Sequence, residues 1–167
     1  MKTNLITIAA LLACFASAAP KTERPQAAEA FSRLKTLVGE WEANTSMGKA
    51  HLSYELIGGG TALVERESMD GHPAMMTVYH LDGDRLLLTH YCMAGNQPRM
   101  QARSFNAETG EIDFQFLDIT NLAGPKAGYM HNAKMRIVDA NHLTSEWQFF
   151  ENGGPKMVES AEYTRVR

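Results

Sequence analysis

The sequence predicts an all-β protein: about ten strands form one antiparallel, up-and-down barrel, and a short helix precedes it. After Gly39, apolar and polar residues alternate with a period of two, and turn residues recur about every ten residues. No stretch after Gly39 has the helical period needed to connect parallel strands. Short connectors join neighbouring antiparallel strands, and closure is the usual way in which such a meander removes its edges.

The first residues are typical of an export signal. Lys2 supplies a positive charge, residues 5–16 are apolar, and the Ala-Ser-Ala of residues 16–18 fits a cleavage site. We expect residues 1–18 to be a signal peptide and the mature protein to lie in the periplasm or the cell envelope. Because residues 11–14 resemble a lipobox, a second route stays open, in which residues 1–13 are removed and Cys14 receives a lipid anchor.

The region after the leader predicts a tether and then a helix. Residues 19–26 contain two prolines among polar residues, which is typical of a flexible tether. Between Ala27 and Val38, apolar residues recur at helical spacing, and Gly39 stands where helices commonly end. We therefore expect a short amphipathic helix at the start of a barrel domain that covers residues 27–167. No segment reaches the roughly 20 apolar residues that span a bilayer, so no transmembrane segment is expected.

The alternating pattern places ten strands between segments rich in glycine, asparagine and aspartate. One longer connector, residues 121–127, is expected to cap a mouth of the barrel. The predicted strands cover residues 40–45, 50–56, 61–68, 75–81, 85–93, 99–105, 112–119, 129–138, 142–151 and 157–166.

The start and the end of the predicted barrel carry a family resemblance. The Gly-Glu-Trp of residues 39–41 resembles the G-x-W signature of the calycins, the superfamily of the lipocalins and the fatty-acid-binding proteins. In calycins an arginine of the last strand stacks on that tryptophan, which is worth about 0.5–2 kcal/mol as a cation–π contact. The resemblance implies that Trp41 and an arginine of the last strand close the base of a calycin-like barrel. Arg165 and Arg167 lie on the same strand face, so either fits this role, and we expect Arg165.

The middle of the chain carries a second resemblance. Residues 77–84, 89–92 and 95–100 are similar to an uncharacterised bacterial family of lipocalin-like domains, which has no established activity. The strand number is also similar to that of nitrobindin, a haem-binding relative of the calycins, but no motif here identifies a haem ligand. The resemblance therefore implies a fold and an interior cavity without naming the ligand.

Charge and cysteine content exclude several classes of partner. The formal net charge is −3, and no run of lysine or arginine builds a positive field, so no nucleic-acid partner is expected. Cys92 has no partner cysteine once Cys14 is removed or acylated, so no internal disulfide is expected.

The predicted hairpin of residues 75–93 carries the densest set of reactive side chains. We expect a three-residue turn at residues 82–84 that pairs Leu81 with Arg85. That register places Met76, Val78, His80, Leu86, Leu88, His90 and Cys92 on the interior face, and Thr77, Tyr79, Leu87, Thr89 and Tyr91 on the outer face.

The hairpin suggests two kinds of chemistry. His80 and His90 lie roughly 13 Å apart along it, too far to share a metal ion, so no metal site is predicted. His90 and Cys92 would lie about 6.6–7 Å apart at the backbone, and a thiol–imidazole pair would need favourable rotamers.

The turn after the hairpin leaves two interpretations open. Asn96, Gln97 and Arg99 would hold an anion at the barrel mouth through paired hydrogen bonds. Alternatively, Asn96 only supplies turn geometry, and Arg99 pairs with a surface acid such as Asp84 or Glu108.

The function expected from the sequence is binding of a small hydrophobic or amphipathic molecule in the barrel interior. Three alternatives stay open: haem bound through His131 or another interior histidine, an enzyme of the isomerase or cyclase type that uses His90, and a purely structural role in which the interior is filled and holds no ligand. The sequence favours a binding protein over an enzyme, predicts no cofactor other than the haem of the first alternative, and leaves the oligomeric state open. The expected ligand-binding residues are His90, Tyr91, Cys92, Asn96, Arg99, His131 and Trp147.

Overall fold

The computed structural model describes residues 26–166 and contains a closed, ten-stranded antiparallel barrel with one short N-terminal α-helix. The predicted fold class is therefore confirmed. The predicted leader, Cys14 and residues 19–25 of the predicted tether lie outside the described residues. Helix α1 covers Gln26–Leu34 and so begins one residue earlier than the sequence predicts; a 3-10 turn, Lys35–Leu37, follows it.

Each strand pairs with its neighbour in the chain, and β10 pairs with β1, so the sheet closes on itself. The strands are β1 Gly39–Thr45, β2 Gly48–Ile57, β3 Ala62–Met69, β4 His72–Asp82, β5 Arg85–Tyr91, β6 Gln97–Asn106, β7 Glu111–Thr120, β8 Tyr129–Ile137, β9 His142–Glu151 and β10 Gly154–Arg165.

Helix α1 lies across one end of the barrel. It packs against β4, β5 and β6, and it buries Ala30, Phe31 and Leu34 in the same apolar cluster as the barrel interior. The Arg33 side chain donates a 2.8 Å hydrogen bond to the carbonyl of Ile137. The helix therefore covers this end, and the turns at the opposite end surround the mouth.

The closing contact lies beside the helix. The guanidinium of Arg165 is 4.2 Å from the centre of the Trp41 ring, and the Trp41 indole N–H donates to the carbonyl of Leu37. Gly39 has a φ of 130°, and a Cβ there would lie 2.7 Å from Nη1 of Arg165. A glycine is required because the guanidinium passes through the space that a side chain would fill. Arg165 also donates to the carbonyls of Thr36, Val38 and Ala140.

The β4–β5 hairpin differs from the prediction by one residue. Asp82 pairs with Arg85, so the turn has two residues, Gly83 and Asp84, instead of three. A shift of one residue moves every side chain of a strand to the other face. The interior assignment of β5 was right, whereas that of β4 was wrong. Thr77 and Tyr79 point inward, and Met76, Val78 and His80 belong to the outer face.

The ladder between β7 and β8 is short. It ends at the pair of Phe114 and Ala133, although both strands continue towards the mouth. Beyond that pair, the Asn132 side chain accepts a hydrogen bond from the backbone N–H of Phe116 and donates one to the Gln148 side chain. A side chain therefore replaces the missing backbone pairing at this seam.

Candidate functional site

The mouth-side half of the interior contains a cavity of about 20 Å³. Its wall has three glutamates, two tyrosines, one histidine and one serine, together with six apolar residues of which three are methionines. A cavity of this size holds about one water molecule. The sequence predicts an interior with room for one small ligand. In the structure, the side chains fill the interior more completely than this prediction requires.

Among the carboxylates of residues 26–166, Glu65 is the most deeply buried, with 6% of its surface exposed. Strand pairing places it opposite Tyr54 on β2 and Thr77 on β4. Its Oε2 accepts hydrogen bonds from Tyr54 at 2.7 Å and Tyr79 at 2.8 Å, and its Oε1 accepts one from Thr77 at 3.3 Å. Burial raises the pKa of Glu65, and the three hydroxyl donors oppose that shift.

His90 lies next to this network. It is 3% exposed, its ring centre is 4.7 Å from that of Trp147, and its Nδ1 shares a 3.0 Å hydrogen bond with Thr77 Oγ1. Its Nε2 has no hydrogen-bond partner among the described residues, although His90 lines the cavity. Burial lowers the pKa of His90 to about 4, so the imidazole is neutral at pH 7.

Glu67 and Glu159 form the acidic part of the wall nearer the mouth. Burial, followed by the negative charges of Glu65 and Glu159, raises the pKa of Glu67 to about 8. Burial also raises the pKa of Glu159. Within residues 26–166, no hydrogen bond contributes to either shift. These two carboxyl groups are therefore available to a ligand, in contrast to Glu65.

Cys92 lies at the mouth end of β5. Burial and the charges of Glu159 and Glu67 raise the pKa of its thiol, and the backbone N–H of Ala94 opposes this shift. Neither ring nitrogen of His90 bonds to the thiol, so the thiol–imidazole pair considered from the sequence is not formed. A thiol with a raised pKa is a poor nucleophile at neutral pH.

The structure separates the remaining sequence-predicted residues. Trp147 lines the cavity beside His90, whereas Tyr91 is exposed on the outside of the barrel. Arg99 is also exposed and forms two hydrogen bonds with Asp118, so the surface-pair interpretation applies, although with a different acid from those considered.

Asn96 holds the long connector at the mouth. It is 2% exposed, and its Nδ2 donates a 2.8 Å hydrogen bond to the carbonyl of Gly128. Asn121 donates in the other direction, to the carbonyl of Gly95. The connector of residues 121–128 is thereby fixed to the β5–β6 turn.

His131 belongs to an aromatic stack rather than to the cavity. Its ring is parallel to those of Phe116 and Phe150, with ring centres 4.8 Å and 4.0 Å away. It occupies the irregular position between Met130 and Asn132 on β8. The His131 ring is held between two phenylalanines, and the present cavity is far smaller than a porphyrin.

Sequence reasoning missed the buried acids, which are the main polar feature of the interior. Glu65 and Glu67 alternate with outward residues on a strand whose inward face also carries Leu63. Two acids on the apolar face of a strand were the available signal, since such a residue requires buried partners. Tyr54 and Tyr79 could not be assigned as those partners without the register of β2, β3 and β4.

Two features bear on metals and membranes. Within residues 26–166, no group of three histidine, cysteine, aspartate or glutamate side chains is arranged to hold a metal ion. The helices of the described region are all too short or too polar to cross a membrane.

The similarity to a solved structure from M. tuberculosis supports the fold. The barrel is similar to the crystal structure of Rv2717c from M. tuberculosis, with a TM-score of 0.56 and 16% identity, over 83% of this chain and 98% of that one. A protein of unknown function from the DUF3598 family of Nostoc punctiforme gives a TM-score of 0.45 and 11% identity, over 90% of this chain and 53% of that one. No family model and no curated protein match the chain.

Proposed function

We propose that the barrel binds a small amphipathic molecule in its mouth-side interior. The observation that carries the proposal is the Nε2 atom of His90, a buried polar atom without a partner among the described residues, in the wall of a cavity. Buried polar atoms in native proteins are almost always hydrogen-bonded, and an unpaired one needs an explanation. A ligand group that hydrogen-bonds to Nε2 supplies it.

The wall can adapt to a molecule larger than the present cavity. Met75, Met130 and Met135 line it, and methionine side chains are unbranched and rearrange readily. We propose that the apolar part of the ligand lies against Trp147 and displaces these methionines. The seven polar residues of the wall favour an amphipathic ligand over a purely apolar one.

The properties of His90 also favour a binding function over a catalytic one. General bases work best when their pKa lies near the working pH. A histidine whose pKa is about 4 is a weak base at neutral pH, although it remains a good hydrogen-bond partner. We therefore place the isomerase or cyclase alternative second.

The proposal extends to location. We propose that the barrel acts in the periplasm or the cell envelope, because residues 1–18 are typical of an export signal. N-terminal sequencing of the mature protein tests this. A first residue of Ala19 supports ordinary cleavage, an acylated Cys14 supports the lipid anchor, and an intact leader on protein from the cytoplasm contradicts export.

Methyl NMR of labelled methionines tests binding directly. With 1-pentanol as the test molecule, we expect saturable shifts of the Met75, Met130 and Met135 methyl signals. Met93 and Met157 are exposed and serve as internal controls whose signals stay unchanged. An Ala161→Val variant narrows the cavity and should weaken binding. If straight-chain alcohols of four to eight carbons leave the three cavity methyls unmoved, the proposal fails.

A further inference from the structure

We propose that the polar group of the ligand is a protonated amine, received by Glu67, Glu159 and the Nε2 atom of His90. This inference deepens the proposed function and rests on it, because it concerns the same cavity. It assigns a chemical class to the ligand: a small organic ammonium compound with an apolar chain.

The charge of the wall is the first argument. Its charged side chains are all glutamates, and none of the described residues that line it is a lysine or an arginine. Glu65 already accepts three hydroxyl hydrogen bonds, from Tyr54, Tyr79 and Thr77. In the described part of the chain, Glu67 and Glu159 accept none that influences their pKa. The unused acceptor capacity of the acids is therefore concentrated in these two residues.

The hydrogen bonds of Thr77 indicate the role of His90. The Thr77 hydroxyl has one proton to donate and lies within reach of both Glu65 and His90. A carboxylate is the stronger acceptor, so we assign the proton to the bond with Glu65. Nδ1 of His90 then carries a proton and donates to Thr77, which leaves Nε2 with a free lone pair. His90 thus adds an acceptor to the two carboxylates.

The match to an ammonium group follows from counting donors and acceptors. An ammonium has three N–H donors and no acceptor. The cavity offers acceptors from Glu67, Glu159 and His90. A carboxylate ligand has no donor to offer these acceptors, and an alcohol would donate to only one of them at a time. Trp147 adds an aromatic face, on which cations are also stabilised.

A bare metal ion fits the site less well. Within the described part of the chain, these side chains are not arranged as a group of three metal ligands. The methionine thioethers are poor ligands for hard cations, and they suit an alkyl chain. An organic cation would contact both the acidic side chains and the methionines of the wall.

Amine binding should be coupled to proton release. The titratable groups around Glu67 are Glu65, Glu159, Cys92, Tyr163 and His90. Glu67 itself has a pKa of about 8, so it is mostly protonated at pH 7. A cation next to it favours the ionised form and displaces that proton.

Calorimetric titration with matched probes tests the inference. We expect n-pentylamine to bind at least tenfold more tightly than 1-pentanol at pH 7.5, and pentanoate not to bind. Titrations in two buffers with different ionisation enthalpies should show proton release for the amine and none for the alcohol. The double variant Glu67→Gln and Glu159→Gln should lose the preference for the amine and still bind the alcohol. Glu162→Gln, an exposed position on β10, is the matched control and should keep the preference.

The outcomes separate this inference from the proposed function. Alcohol binding with equal or weaker amine binding overturns the amine assignment and leaves the proposed function standing. Failure of every probe to bind the wild-type protein overturns both. Alcohol binding by the double variant shows that it is folded. If that variant does not fold, amine binding by the wild-type protein without proton release overturns the inference.

Discussion

At the scale of single residues, burial acts in opposite directions on two titratable groups of one cavity. It lowers the pKa of His90 to about 4 and contributes most to raising that of Glu67 to about 8. Both side chains are therefore largely uncharged at neutral pH. The cavity therefore has less charge at that pH than its composition suggests. A bound cation favours the ionised form of Glu67 and so increases this charge.

The raised pKa of Glu67 predicts that replacing this residue increases the stability of the protein, and that the increase grows with pH. The unfolded chain ionises Glu67 near its ordinary value of 4.5, so this residue lowers the free energy of unfolding progressively from about pH 4.5 to pH 8. Glu67→Gln should therefore be more stable than wild type by about 2–4 kcal/mol at pH 8. Urea unfolding at pH 4 and pH 8 measures this, with Glu162→Gln as the control. A stability difference that does not change between the two pH values would contradict the assignment.

The lowered pKa of His90 predicts the opposite pH dependence of stability. In the unfolded chain, His90 becomes protonated as the pH falls below its ordinary pKa of 6.5. In the folded chain, it becomes protonated only near its lowered pKa of about 4. Its stabilising effect is complete above pH 6.5 and is lost as the pH falls to 4, by about 2–3 kcal/mol. The stability difference between wild type and His90→Phe should shrink by that amount over this range. Parallel pH profiles for the two proteins would rule out a buried, neutral His90.

The hydroxyls around Glu65 predict a third effect. Tyr79→Phe removes a 2.8 Å hydrogen bond to a buried carboxyl and should cost about 1–3 kcal/mol. Tyr91→Phe removes an exposed hydroxyl and should change the free energy of unfolding by less than about 0.5 kcal/mol. Thermal and urea unfolding compare the two variants. Equal effects would mean that the network contributes nothing specific.

At the scale of elements, the closing contact explains why the first strand begins with glycine. Gly39→Ala adds a Cβ that meets Arg165, and its positive φ is also unfavourable. Gly153 has a positive φ of 80°, but a Cβ added there would meet no described atom within 4 Å, so Gly153→Ala isolates the backbone effect. We expect Gly39→Ala to cost about 1–3 kcal/mol more than Gly153→Ala in urea unfolding. A smaller or reversed difference would show that the Arg165 contact is dispensable.

The hairpin shows where sequence reasoning stops. Alternation assigned the faces of β5 correctly, because Leu86, Leu88 and His90 define one face without help from a partner strand. The faces of β4 depended on the length of a turn that contains Gly83, and a two-residue turn reversed them. Periodicity within a strand is local information, whereas register depends on turn geometry.

At the scale of the whole molecule, the barrel could be predicted and its site only partly. Alternation, regular turns and missing crossover helices are enough to predict a closed antiparallel sheet. His90 and Trp147 were placed in the interior correctly, but the acids came from other strands whose neighbours the sequence does not reveal. The size of the cavity depends on how methionines and aromatic rings pack, which no sequence pattern encodes. The similarity to Rv2717c, at 16% identity, supports the fold and gives no information about the side chains of the cavity.

Nitrogen-15 NMR of the His90 ring detects the free Nε2 acceptor on which the proposed binding depends. We expect Nδ1 to carry the proton and Nε2 to be an unprotonated acceptor between pH 6 and pH 8. Saturation with n-pentylamine should then shift the Nε2 signal as it accepts a hydrogen bond, while Nδ1 stays bonded to Thr77. A proton on Nε2 in the unliganded protein, or an Nε2 signal that saturating amine and alcohol both leave unchanged, would show that Nε2 is not the ligand's hydrogen-bond acceptor.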